Sequence, residues 1–261
     1  MSSPSRLNYA YAVGRAHALG KYLIQYAVFR EASEATDFLA ALKIIYDAGN
    51  YPEDLTKVRT SEELDTFLRG EEEKLGRWMA EILLEKNILE VFLLEESPEE
   101  ALGVARNSGY PFIRDYVRHL IDLGNLKILG RAKYLGLSQE RFERRLMKGG
   151  WLEKRFLSES YPLSFAEIGE KLRASFYREV WERGTDILES RETFIGLEKG
   201  MDDFLMGYLR GAKKFTFGPE PVFAYGEAKR RELALIRLLG VGKMSLVPAE
   251  WLKERMSETY V

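Results

Sequence analysis

A chain of 261 residues with 46% hydrophobic content is long enough for one large domain or two to three small ones with genuine cores. Its 39 basic and 41 acidic residues nearly cancel, which excludes long-range attraction to nucleic acid or to an anionic membrane as its working principle. The absence of cysteine removes disulfides, thiolate nucleophiles and the usual structural zinc sites, a pattern in keeping with a cytoplasmic protein.

In chain order, residues 1–30 lack a basic stretch followed by an apolar one. The richest apolar run, Ile82 to Leu94, is interrupted by Glu85, Lys86, Asn87 and Glu90. Neither a secretion signal nor a membrane span is expected. Helix starts are marked by a capping side chain three residues ahead of a Glu: Thr60 with Glu63, Ser97 with Glu100, and Ser164 with Glu167. Breaks are predicted at Gly49 to Pro52, Asn107 to Pro111, Gly149-Gly150, Ser160 to Pro162 and Gly218 to Pro221. Between them apolar residues keep helical spacing, as in Val117, Ile121, Ile128, Ala132 and Leu135, and no run alternates with period two. The fold class is therefore all-α, with helices joined by short turns.

A phrase repeats. Gly14 to Gly20 reads G-R-A-H-A-L-G and Gly130 to Gly136 reads G-R-A-K-Y-L-G, while a third Leu-Gly stands at Leu239-Gly240. Each is followed by a helix with a large aromatic, Phe38, Phe142 or Trp251, which the repeat predicts to be buried. Ahead of the second and third copies the pattern acidic-x-x-x-aliphatic-basic recurs, from Asp122 to Lys127 and from Glu232 to Arg237. These echoes predict three copies of a helical unit.

Little in the sequence carries chemistry. Gly240-Val-Gly242-Lys243-Met244 imitates a phosphate loop, but Arg237 stands where that loop needs Gly and Met244 where it needs Ser or Thr. A helix C-cap or tight turn is expected there. His17 and His119 lack any metal-ligand or nucleophile spacing around them and are read as helix-surface residues. Asn125 falls on or beside the apolar stripe, where an unpaired amide costs about 1–3 kcal/mol, so it either ties helices together or contacts a partner. Arg114, Arg118, Arg131, Lys133, Arg141, Arg144, Arg145 and Lys148 make the centre basic. Without interleaved aromatics they read as a solvated face or a contact for an acidic partner surface, not a nucleic-acid interface. Lys229-Arg230-Arg231, between Glu227 and Glu232, reads as a charged helix face with i,i+4 pairs.

Three segments resemble a known family: Asn8 to His17 with Asp37-Phe38-Leu39, Asp122 to Leu135, and the ending from Glu220-Pro221 through Lys229, Arg237 and Lys243 to Tyr260-Val261. They are similar to the C subunit of the archaeal and bacterial A/V-type rotary ATPases, the relative of the d subunit of eukaryotic V-ATPases. The chain is shorter than usual members, and Val13 and Leu235 stand where Asn is common, leaving Asn125 as the remaining Asn of that set. The resemblance implies three helical bundles, residues 1–95, 96–190 and 191–261, arranged as a funnel with approximate three-fold pseudo-symmetry. It implies a mechanical role without catalysis, cofactor or metal. The protein would seat the rotor shaft subunits on the membrane proteolipid ring, peripheral to the membrane and without inserting into it. Arg15, Lys127 and Arg237 stand at matched positions and are candidates for partner contact, together with Asn125, Lys229 and Arg230. The alternative is a stand-alone helical scaffold or regulator sharing this fold.

Overall fold

The computed structural model describes residues 5–94 and 96–261, and every regular element among them is helical. The α-helices run α1 (Ala10–Gly20), α2 (Tyr26–Glu34), α3 (Phe38–Ala48), α4 (Ser61–Ile82), α5 (Lys86–Leu93), α6 (Pro98–Arg106) and α7 (Pro111–Tyr134). They continue as α8 (Gln139–Glu143), α9 (Lys154–Ser160), α10 (Phe165–Lys171), α11 (Arg178–Arg191), α12 (Ile195–Arg210), α13 (Glu220–Met244) and α14 (Ala249–Arg255). The breaks at Gly49 to Pro52 and at Gly149-Gly150 fall between helices, those at Asn107 to Pro111 and Ser160 to Pro162 overlap a neighbouring helix by one residue, and at the last α13 begins on Glu220 and takes Pro221 into its first turn. Thr60 with Glu63 and Ser164 with Glu167 form complete capping boxes. Ser97 does not cap with its side chain; α6 starts on Pro98, whose fixed φ suits a first helical position.

The chain divides into two compact units, Met1–Leu93 with Met206–Val261, and Leu94–Leu205. In the first, α13 is the spine. Its Leu233, Ile236 and Leu239 pack with Leu42 and Ile45 of α3 and with Leu64 and Leu68 of α4. Phe29 of α2 and Leu252 of α14 complete that core. In the second, α7 is the spine. Its Leu126 and Leu129 lie among Phe142 of α8, Leu157 of α9, Trp181 of α11 and Leu197 of α12, and it also packs on α6. Burial of each such side chain is worth about 1.5–3 kcal/mol.

Two expectations about the Leu239-Gly240 segment and the helix after it do not hold. Phe38 and Phe142 are buried, but Trp251 is 65% exposed and its neighbour Leu252 is 1% exposed. One residue along a helix is a turn of about 100°, enough to move a side chain from core to water. Gly240 and Gly242 are not a C-cap either: both lie inside α13. A Cβ on Gly240 would collide with Leu64 and one on Gly242 with Leu252, so these glycines let neighbouring side chains sit against the helix backbone.

Candidate partner-binding site

The residues singled out in sequence lie mainly on α7 and α13, and each of these helices buries a carboxylate. On α7, Asp122 accepts the N–H groups of Trp151 (2.9 Å) and Leu152 (3.0 Å) and the hydroxyl of Tyr177 (2.9 Å). Gly150 permits this wrap, because a Cβ there would strike the Asp122 carboxylate. Burial raises the Asp122 pKa, and its hydrogen bonds and the charge of Arg118 only partly offset that.

Tyr177 also lies 2.8 Å from Nδ1 of His119. Since the hydroxyl proton goes to Asp122, the imidazole donates from Nδ1 to Tyr177 and carries its proton there. His119 is 4% exposed, contrary to the surface reading, and sits among the rings of Trp151 (4.6 Å), Phe204 (4.9 Å) and Phe176 (5.6 Å). Burial pushes its pKa down to about 4, so it is neutral near pH 7. His17 is exposed as expected. Asn125 is fully buried, donating to the Met147 carbonyl (2.9 Å) and accepting the Met147 N–H (2.8 Å). Its amide thereby pins the stretch after α8 to the spine.

On α13, Glu232 accepts the Ile24 N–H (2.5 Å), the Tyr51 hydroxyl (2.6 Å) and the Lys229 ammonium (2.6 Å). The ammonium also lies 4.0 Å from the centre of the Tyr51 ring. Arg230 reaches both oxygens of Glu227 at 3.0 Å, donates to the Phe92 carbonyl at 2.9 Å and covers the Phe92 ring. Arg231 donates to Ser257. The triplet is therefore not a solvated face: its ion pairs are i,i+3, and Lys229 and Arg230 are 13% and 20% exposed. Removing one partner of so shielded a pair is strongly destabilising.

The basic residues expected at matched positions stay nearer the surface. Lys127 pairs with Glu198 of α12 at 2.8 Å, sharing it with Arg131. Arg237 pairs with Asp65 and Glu72 of α4 at 2.9 and 3.5 Å. Arg15 is exposed on α1 and donates to the Tyr11 hydroxyl. Pairs this exposed are worth about 0–1 kcal/mol each, which leaves the cations open to exchange partners. Of the central basic residues, Lys133 donates inward to the Tyr161 and Leu163 carbonyls, whereas Arg141, Arg145 and Lys148 are exposed.

The two spines match at constant spacing: His119 with Lys229, Asp122 with Glu232, Lys127 with Arg237, Gly130 with Gly240, and Phe142 with Leu252. Both helices end alike. The N–H of Leu137 bonds to the Ala132 carbonyl and that of Val247 to the Gly242 carbonyl, with Gly136 and Leu246 at the matching left-handed positions. Sequence reasoning saw the acidic-to-basic pattern but missed Tyr51 and Tyr177 as its anchors. The signal present was an acid inside an apolar stripe, which demands donors.

Among the described residues no group of three or more His, Cys, Asp or Glu is placed to hold a metal ion, and no helix is long and apolar enough to cross a membrane. A family profile described as ATP synthase (C/AC39) subunit matches residues 17–255. The C subunit of the V-type sodium ATPase of Enterococcus hirae is 29% identical over 152 residues, which cover 58% of this chain and 46% of that relative. The chain thus aligns with less than half the length of that protein.

Proposed function

Because the chain belongs to the ATP synthase (C/AC39) subunit family, we propose that it is a non-catalytic subunit of a rotary V-type ATPase that seats the central shaft on the proteolipid ring. The family match across residues 17–255 carries this reading. The state of the titratable groups supports it: Asp122, Glu232, His119 and Lys229 are all engaged in holding helices. The subunit works on the cytoplasmic face, attached to the membrane through the complex, and takes part in ion transport coupled to ATP hydrolysis or synthesis.

The three-bundle plan, residues 1–95, 96–190 and 191–261 with pseudo-three-fold symmetry, belongs to the same proposal. The repetition of the α7 pattern on α13 supports two of its three copies. Arg15, Lys127 and Arg237 are the proposed rim contacts to the shaft, where cations set orientation and on-rate more than affinity. Asn125, Lys229 and Arg230 act indirectly, by fixing the helices that carry the rim.

The test is recovery of the tagged chain from its native membrane after gentle solubilisation. Shaft and ring subunits should come with it, and Arg237→Glu should weaken that recovery in a salt-dependent way while leaving circular dichroism unchanged. Recovery of the chain alone would favour a stand-alone scaffold.

A further inference from the structure

Within the first unit a cavity of about 170 Å³ opens between the end of α1, α4 and α13. Its wall includes Tyr22, Glu71, Lys74, Trp78, Tyr225 and Lys229. The charges there are matched in pairs, Lys74 with Glu71 and Lys229 with Glu232, each at 2.6 Å. Two neutral donors there make no hydrogen bond to the described residues, and one of them is buried. The Trp78 indole N–H is buried without a hydrogen-bond partner, and the Tyr225 hydroxyl makes no hydrogen bond within the described residues although Tyr225 is only 8% exposed. The two rings meet edge to face at 5.1 Å.

An unpaired buried donor costs about 1–3 kcal/mol, so an incoming acceptor relieves a penalty that this wall carries alone. Burial and the charge of Glu232 hold the Tyr225 pKa well above its ordinary value, and the hydroxyl stays a donor at any working pH. A net anion would meet Glu71, and a net cation would meet Lys74 and Lys229. In size the cavity is comparable to an engineered one of about 150 Å³ that admits a benzene ring.

We propose that this cavity binds a small uncharged planar ring bearing a carbonyl-type acceptor, taken by the Tyr225 hydroxyl and by the Trp78 N–H after a small turn of the indole. This binding does not depend on assembly into a rotary complex.

The full chain is titrated with benzamide, with toluene as a ring lacking the acceptor and with benzoate as its charged counterpart, by ligand-observed NMR and calorimetry. Benzamide should bind saturably with a dissociation constant on the order of 1 mM, and the other two at least about fivefold more weakly. Tyr225→Phe and Trp78→Phe should each weaken benzamide by about three- to tenfold at unchanged melting temperature. Should either variant fail to fold, shift mapping on the wild-type chain replaces it, and the Trp78 indole resonance must move with benzamide. No saturable binding, toluene binding as tightly as benzamide, folded variants binding like wild type, or an unmoved Trp78 indole each overturns the proposal.

Discussion

At matching points on two long helices, α7 places His119 and Asp122 where α13 places Lys229 and Glu232. Both carboxylates are shut away from water, and both anchor a tyrosine hydroxyl and backbone N–H groups. They differ in how their charge is met. Glu232 takes a direct ammonium at 2.6 Å. Asp122 is held by neutral donors, and its histidine reaches it only through Tyr177. One architectural task, fixing a spine to its surrounding turns, is met by an ion pair in one unit and by a neutral hydrogen-bond relay in the other. The first should be sensitive to losing a partner and the second to pH.

The largest expected effect tests the ion pair. Glu232→Gln strands Lys229 and should lower the unfolding free energy by about 3–5 kcal/mol. Asp122→Asn, which strands no bonded cation, should cost about 1–3 kcal/mol. Urea unfolding of both variants checks the order, and an equal or reversed order would remove the distinction between the spines.

The next test concerns the helices that follow. Leu252→Ala should cost about 2–5 kcal/mol and Phe142→Ala about 3–5 kcal/mol, because both empty a core site. Trp251→Ala and Arg141→Ala, on the exposed sides, should stay within about 0.5 kcal/mol. Thermal melts in which Trp251→Ala matches Leu252→Ala would put α14 in the wrong rotation.

That rotation shows where legibility ended. Capping at Thr60 and Ser164, the turn glycines and the all-α class follow from interactions within a few residues, so they were readable. The apolar pattern of α14 is too short to fix its phase, since Trp251 and Leu252 are adjacent and a seven-residue helix spans just under two turns. His119 was misread because its partners, Tyr177 and the rings of Trp151 and Phe204, come from distant segments. Gly240 and Gly242 looked like punctuation because the sequence does not show which side chain approaches a helix backbone. Of the candidate site, the equivalence of Lys127 and Arg237 was legible, and the burial of Lys229 and Arg230 was not.

The pH test addresses the neutral relay. With its pKa lowered from 6.5 to about 4, His119 contributes stability that is present above pH 6.5 and lost as pH falls toward 4, because the unfolded chain takes the proton first. Over that window the loss is about 3 kcal/mol. The raised pKa of Asp122 acts in the opposite sense, favouring the fold in acid and losing that contribution as pH rises through its folded value. His119→Gln should flatten the decline in stability between pH 6.5 and 4 measured by denaturant titration. A decline of unchanged steepness would mean that His119 is not the titrating group.

The smallest contrast compares two glycines. Gly240→Ala should cost about 1–3 kcal/mol, since the new methyl collides with the buried Leu64. Gly130→Ala meets its nearest neighbour, Leu197, at an ordinary 3.5 Å and should be neutral or stabilising by up to about 1 kcal/mol. Equal effects would show that the two spines are packed alike at this point.

The most direct test of the proposed coupling role is ATP-driven ion uptake into native membrane vesicles from cells in which this chain is deleted and then restored. Deletion should abolish uptake while the detached catalytic sector still hydrolyses ATP, and restoring the chain should return uptake. Undiminished uptake in the deleted strain would contradict the proposal that this chain seats the rotor shaft.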